Sequence, residues 1–387
     1  MAMSKRTFLQ AASLLVADRL LALGPRGEGS ERGSGSGHKA VLVIFGGVRY
    51  QETFSREGAG NIPRMLGELA PRSLFYQRAR NEGVTAHYNA IASILTGNWQ
   101  RVDDWGKLPP ASPTLFEYLR KQCHIPSSDV WMVSSNKALT RLIGASSDLS
   151  YGPTFGANVV FPKQLLIEAV VHAIWAGRAR AMGDPNKVQA ELEATLEGTN
   201  YEGLGWSVFD DASQLDPRTR MTITEAVASF VRGGEPKTGD ELTFMVAREV
   251  MRKFAPRLLV VNFSDVEVAH FGAFSLHLAG IRTEDELTFQ LWREIEVNPE
   301  YRGRTTMVVV PEFGRDPDGS TTNGFFNHRS EGDSCRTTWM MCLGEAVDRP
   351  QVIDNPVRHI DLCPSLAGLL GCRSNGVGGQ LLPGWKV

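Results

Sequence analysis

The run Thr305-Thr306-Met307-Val308-Val309-Val310 is β-branched and apolar, carries no charge, and leads directly into Pro311-Glu312-Phe313-Gly314-Arg315-Asp316. A strand with no polar face needs cover on both sides, which a central strand of an α/β sheet has and a surface strand lacks. Polar residues just past the carboxyl end of such a strand stand where these sheets bind ligands. Gly314, Pro317 and Gly319 end regular structure there, and His328 follows in the same loop. Taken alone, the stretch also fits a local Glu312–Arg315 ion pair and an ordinary loop histidine. The rest of the chain decides between the two.

The strand pattern recurs. Residues 40–45, 129–134, 257–263 and 337–343 are further apolar runs, with a weaker one near 73–77. Helical periodicity or capping signals predict helices over 62–69, 84–97, 114–121, 273–297 and 365–370. Thr85 is placed to cap the second of these and Gly97 to stop it. Strands alternating with helices predict an α/β domain over 38–387, a central, mostly parallel sheet flanked by helices. Within it, residues 162–255 read as a helical insertion, and His172 there reads as packed or surface-exposed. Residues 1–37 read as an export signal plus flexible linker. Ser4-Lys5-Arg6-Thr7-Phe8-Leu9-Gln10 is similar to a twin-arginine signal with lysine in place of the first arginine, and Asp18-Arg19 interrupt the apolar stretch behind it. That implies a periplasmic protein, the alternative being an amphipathic N-terminal helix on a cytoplasmic one. Cys123, Cys335, Cys342, Cys363 and Cys372 form no C-x-x-C pair and read as mostly free thiols, with a Cys363–Cys372 bridge left open. A net charge of -2 gives no electrostatic footprint for nucleic acid, and no apolar run is long enough for a stable membrane span.

Asp265 and His270 sit just past the 257–263 strand, Glu312 past the 305–310 strand, and His328 beyond it. Two imidazoles with one or two carboxylates at neighbouring strand ends make a divalent-metal set, suited to zinc or manganese. At the start of the 84–97 helix the free N–H groups and the helix dipole suit an anion.

The order of these stretches resembles the alkaline phosphatase superfamily, which includes the sulfatases. The matching pieces are 41–47, the helix 85–97 ending in Thr96-Gly97, Asp265 with His270, 308–315, His328, and Asp361-Leu362-Cys363-Pro364-Ser365. It is more similar still to a sulfatase-like, often twin-arginine-exported branch of poorly characterised proteins. The shared features are Gly46-Gly47 followed by Glu52-Thr53-Phe54, a helix opening at His87, and Glu312-Phe313-Gly314-Arg315. The resemblance implies a metal-dependent hydrolase of phosphate or sulfate esters. The metal is expected to be zinc, with manganese or calcium as alternatives, and the partner a small-molecule ester. Asp265, His270 and His328 would hold one metal, and Glu312 with Glu52 or His87 would hold or support a second. Thr85 or an activated water would attack, and Arg49 and Arg315 would stabilise the transferring group. The departures are specific. Gly46 stands where phosphatases have an aspartate, and Phe313 where they have a histidine. Asp265 is one residue too far from His270, which leaves Glu267 as the other candidate, and His87 aligns with the nucleophile. These departures keep a catalytically degenerate binding protein, and a phosphotransferase of the mutase type, as the alternatives.

Overall fold

The computed structural model describes residues 37–104, 106–136, 139–165, 215–233, 236–320 and 324–386. Among the described residues nine strands form one sheet: β1 (Lys39–Phe45), β2 (Leu74–Arg80), β3 (Val130–Ser134), β4 (Asn158–Val160), β5 (Leu258–Asn262), β6 (Thr305–Pro311), β7 (Thr337–Gly344), β8 (Gln351–Ile353) and β9 (Val357–Arg358). Their order is β4-β3-β5-β1-β6-β7-β2-β8, with β9 also on β2. All run the same way except β7, which is antiparallel to β6 and β2. The α/β architecture with a mostly parallel sheet is therefore as the sequence predicts.

The central strand β1 shows why the sheet is covered on both faces. Ala40, Leu42 and Ile44 point into one core with α1 (His87–Thr96), α2 (Leu115–Gln122) and the C-terminal helix α7 (Leu362–Leu369). Val41, Val43 and Phe45 point into the other, with α3 (Pro217–Gly233), α4 (Gly239–Phe254) and α5 (Phe274–Val297). The remaining helix, α6 (Asp333–Arg336), is one turn leading into β7. Each Val, Leu, Ile or Phe among these contributes about 1.5–3 kcal/mol on burial, so a charge at any of these positions would be costly on either face.

Of the stretch 162–255, α3 and α4 are described; α4 lies against β3, β5 and α5, and 166–214, with His172, lie outside the described residues. So do residues 1–36 of the stretch 1–37 that the sequence suggests as an export signal and linker. Among the described residues no helix is long and apolar enough to cross a membrane. The cysteines correct one expectation. Cys123, at the end of α2, is disulfide-bonded to Cys372, whereas Cys363 is a free thiol facing the core from α7.

Candidate metal centre

With β1, β5, β6 and β2 all running one way, the segments that leave them meet at one edge of the sheet. The turn after β5, Asp265–Phe271, is a 3-10 helix. Three residues per turn put Glu267 and His270 on the same face. The loop after β2 brings His87 at the start of α1, and the long loop after β6 brings His328. One coordinating atom from each of His87, Glu267, His270 and His328 lies within 4.8 Å of the others. The Nε2 atoms of His87 and His270 are 3.2 and 3.1 Å from Glu267 Oε2. His270 Nε2 is 3.5 Å from His87 Nε2 and 3.2 Å from His328 Nε2.

These separations fit a bound cation. Ligands about 2.0–2.1 Å from a tetrahedral ion stand about 3.3–3.4 Å apart along each edge. Two rings are also pinned by their other nitrogen, as metal-binding imidazoles are. His87 Nδ1 meets Glu312 Oε1 at 2.5 Å, and His328 Nδ1 meets the Thr85 carbonyl at 2.5 Å. A carbonyl only accepts, so His328 carries its proton on Nδ1 and leaves Nε2 free as a donor to metal. Glu267 is held by Gly47 N–H at 2.6 Å and by Arg315 Nη2 at 2.7 Å. Phe313 stacks on His328 with ring centroids 4.4 Å apart and walls His87 at 5.1 Å. It packs against the ligands where the resemblance would put another one.

Without a cation the cluster balances its own charge. Burial lowers the His87 pKa, but Glu267 and Glu312 outweigh it and raise the imidazole to about 10. Burial pushes the Glu267 carboxyl up, and Arg315 and His87 more than reverse this, holding it well below its usual range. Burial, then the His87 charge, push His328 well down. Burial raises Glu312. A divalent ion would take over the role of the His87 proton, since ligands bind deprotonated.

The expected site residues divide. His270 and His328 are at the centre, and Glu312 supports it through His87. His87 itself, expected as catalytic or supporting, brings one of the four candidate ligand atoms. Asp265 does not converge with them: its oxygens take Lys163 Nζ at 3.0 Å and Asp240 N at 2.7 Å. Asp240, fully buried, returns the tie by accepting from Ser264 N and Asp265 N. Glu52 is engaged by the Arg49 guanidinium, and Arg49 also reaches Asp318, so neither faces the cluster. Arg315 is fully buried, and its donors go to Glu267, the Gly47 carbonyl and the Phe325 carbonyl. Thr85 is not the cap of α1. Ala86 holds that place with no side-chain cap, and the Thr85 hydroxyl lies beside the Cys335 thiol, which burial pushes up to about 12. Gly97, left-handed at φ 69°, does stop the helix. Sequence reasoning put Glu267 second to Asp265; the signal for it was the E-x-x-H spacing.

One expected result separates the two acids. Glu267→Gln should weaken zinc binding by about 10–100-fold or more, the range set by disturbing a ligand or its support, while Asp265→Asn should leave it within a few-fold. Titration of the purified variants with zinc against a competing chelator checks this, and the reverse order would restore Asp265 as the ligand.

No protein-family model matches the sequence, and neither does any curated protein. Solved structures do match in fold. The phosphonate monoester hydrolase from Silicibacter pomeroyi superposes with a TM-score of 0.52 at 14% identity, over 89% of this chain and 76% of that one. A putative sulfatase from Bacteroides thetaiotaomicron gives 0.52 at 10%, over 89% and 73%. A mutant of the alkaline phosphatase PafA gives 0.50 at 11%, over 89% and 98%. The chain thus has the fold of the alkaline phosphatase superfamily.

Proposed function

We propose that the protein is a metal-dependent hydrolase of phosphate or sulfate esters, working through one divalent cation held by His87, Glu267, His270 and His328. The observation that carries this is the convergence of three Nε2 atoms and one carboxylate oxygen at the carboxyl edge of the sheet. When bound, such an ion polarises an ester oxygen and acidifies an attacking water. The chain's own residues do the rest. Glu312 and the Thr85 carbonyl fix two imidazoles, and Arg315 with Gly47 N–H fixes Glu267. His270 is the most exposed of the four, at 34% of its side chain, so substrate approaches from its side. The first turn of α1 has no side-chain cap, and its N–H groups supply partial positive charge for the anionic ester. Zinc suits the donor set, and manganese accepts it as well.

A second reading, a cation-dependent binding protein without turnover, has its own support. Four protein donors fill a tetrahedral ion, as in structural rather than catalytic zinc sites. Elemental analysis of the purified protein and of His328→Ala, followed by assays on phosphate and sulfate esters, tests both. The expected result is about one zinc or manganese ion per chain, lost in the variant, with ester turnover that follows the metal. Bound metal without turnover would establish the second reading. No metal after incubation with divalent ions would end both.

A further inference from the structure

Strand β2 carries a bulge that faces a cavity. β2 keeps register with β7 from Leu74 to Tyr76 and again at Ala79 and Arg80, with a shift between the two. On its other side β8 ends opposite Tyr76 and β9 begins opposite Ala79. Gln77 and Arg78 therefore stand outside the register on both sides. Tyr76 and Ala79, three residues apart, both enter the core that holds α1, α2 and α7. In a regular pleat, side chains three apart take opposite faces, so the extra residue re-aims the two between them. Both of these line a cavity of about 370 Å³, together with Arg49, Tyr50 and Gln51 from the segment after β1 and Asp333 of α6.

Three charged side chains line this cavity, and two are already paired. Arg49, 2% exposed, directs its guanidinium to Glu52, Asp318 and the Asp316 carbonyl. Asp333 accepts from Arg80 at 2.6 Å and from the Thr337 hydroxyl at 3.2 Å. Arg78 is exposed and makes no hydrogen bond or ion pair among the described residues. Nor do the Gln51 and Gln77 amide groups or the Tyr50 hydroxyl make a hydrogen bond there. We propose that this cavity binds a hydroxylated ligand through one monoanionic group, a carboxylate or a sulfate ester, held by Arg78. The guanidinium fork meets two oxygens of such a group at once, and one unpaired positive charge matches one negative charge. The two carboxamides and the phenol offer both donors and acceptors, which suit hydroxyls around that group. The volume is that of a small-molecule site. This proposal does not rest on the metal centre, since none of the four candidate ligands there lines the cavity.

Calorimetric titration of the purified protein with glucuronate, glucose 6-sulfate and glucose tests this, since the three share a hydroxylated ring and differ in the anionic group. The expected result is that glucuronate or glucose 6-sulfate binds about tenfold tighter than glucose or more, the weight of hydrogen bonds to a charged group. The tighter of the two identifies the group. Arg78→Ala should bring that ligand down to the affinity of glucose, and the exposed, unpartnered side chain makes this a variant that still folds. Arg78→Lys should recover part of the loss, because it keeps the charge without the fork. Gln77→Ala should weaken the ligand by about two- to tenfold, the range for one neutral hydrogen bond. The preference over glucose should persist in His270→Ala. No preference over glucose, a preference unchanged in Arg78→Ala, or no binding of any of the three would overturn the proposal. So would a preference that His270→Ala removes, which would place the ligand at the metal centre instead.

Discussion

Gly46→Ala should strongly weaken metal binding in a protein that still folds. Gly46 follows β1, and a Cβ placed on it would lie 2.4 Å from Glu267 Oε1 and 2.8 Å from a Val266 methyl. Both atoms belong to the turn that carries Glu267 and His270. That turn is fixed on its other side by Asp240, which accepts from Ser264 N and Asp265 N, so it has little room to retreat. The carboxylate would have to leave Gly47 N–H and Arg315, and two outer-shell bonds would go with it. The loss of zinc affinity should reach about 100-fold, the upper end of what outer-shell damage costs. Gly67→Ala is the control, since nothing lies within 4 Å of its Cβ. Zinc titration with thermal unfolding of the same samples reads both effects. Wild-type affinity in Gly46→Ala would show that Glu267 is not a ligand. The clash also gives a reason for the departure noted in the sequence. The space that a first-strand acid would fill is taken by Glu267, so the carboxylate reaches the centre from β5 instead of β1. Gly46→Asp combined with Glu267→Gly should therefore recover part of the lost affinity.

What the sequence revealed and what it hid have physical reasons. The five apolar runs were legible because a strand buried on both faces admits no charge over its whole length. Val41 and Leu42 serve opposite cores, and neither position tolerates a polar side chain. His270 and His328 were legible because they follow such strands, where the edge of the sheet collects side chains. The choice between Asp265 and Glu267 was not, because it depends on the pitch of one turn. In an extended loop either acid could face His270. In a 3-10 helix only the residue three before it does. Arg49, Glu52 and Arg315 have the residue types of an anion site, but burial decided their partners. Arg315 turns inward onto Glu267 and the Gly47 and Phe325 carbonyls, a packing between distant segments that spacing does not encode. The Cys123–Cys372 bridge joins residues 249 apart and was hidden for the same reason.

Arg315→Met should cost about 3–5 kcal/mol of stability in zinc-free buffer, the range for removing one partner of a buried ion pair. The guanidinium is fully buried and makes three bonds: Nε to the Gly47 carbonyl at 2.6 Å, Nη1 to the Phe325 carbonyl at 3.2 Å, and Nη2 to Glu267 at 2.7 Å. Methionine fills much of the volume, so the penalty comes from electrostatics more than from a cavity. Glu267 would then keep its charge against His87, His270 and the Gly47 N–H without the guanidinium, inside a site that also holds the Glu312 carboxyl. A bound cation changes this balance. It supplies to Glu267 the positive charge that Arg315 no longer does, and binding to the folded state alone adds stability by mass action. Saturating zinc should therefore narrow the difference between Arg315→Met and wild type, measured as urea midpoints with and without the ion. The two carbonyls that lose a donor are not helped by zinc, so part of the loss should persist. The unrescued part measures Arg315 as a brace for the backbone at Gly47 and Phe325, and the rescued part measures it as the counter-charge of Glu267. An equal loss in both buffers would mean that Arg315 acts as a brace only. It would also remove Glu267 from the residues whose charge the metal compensates.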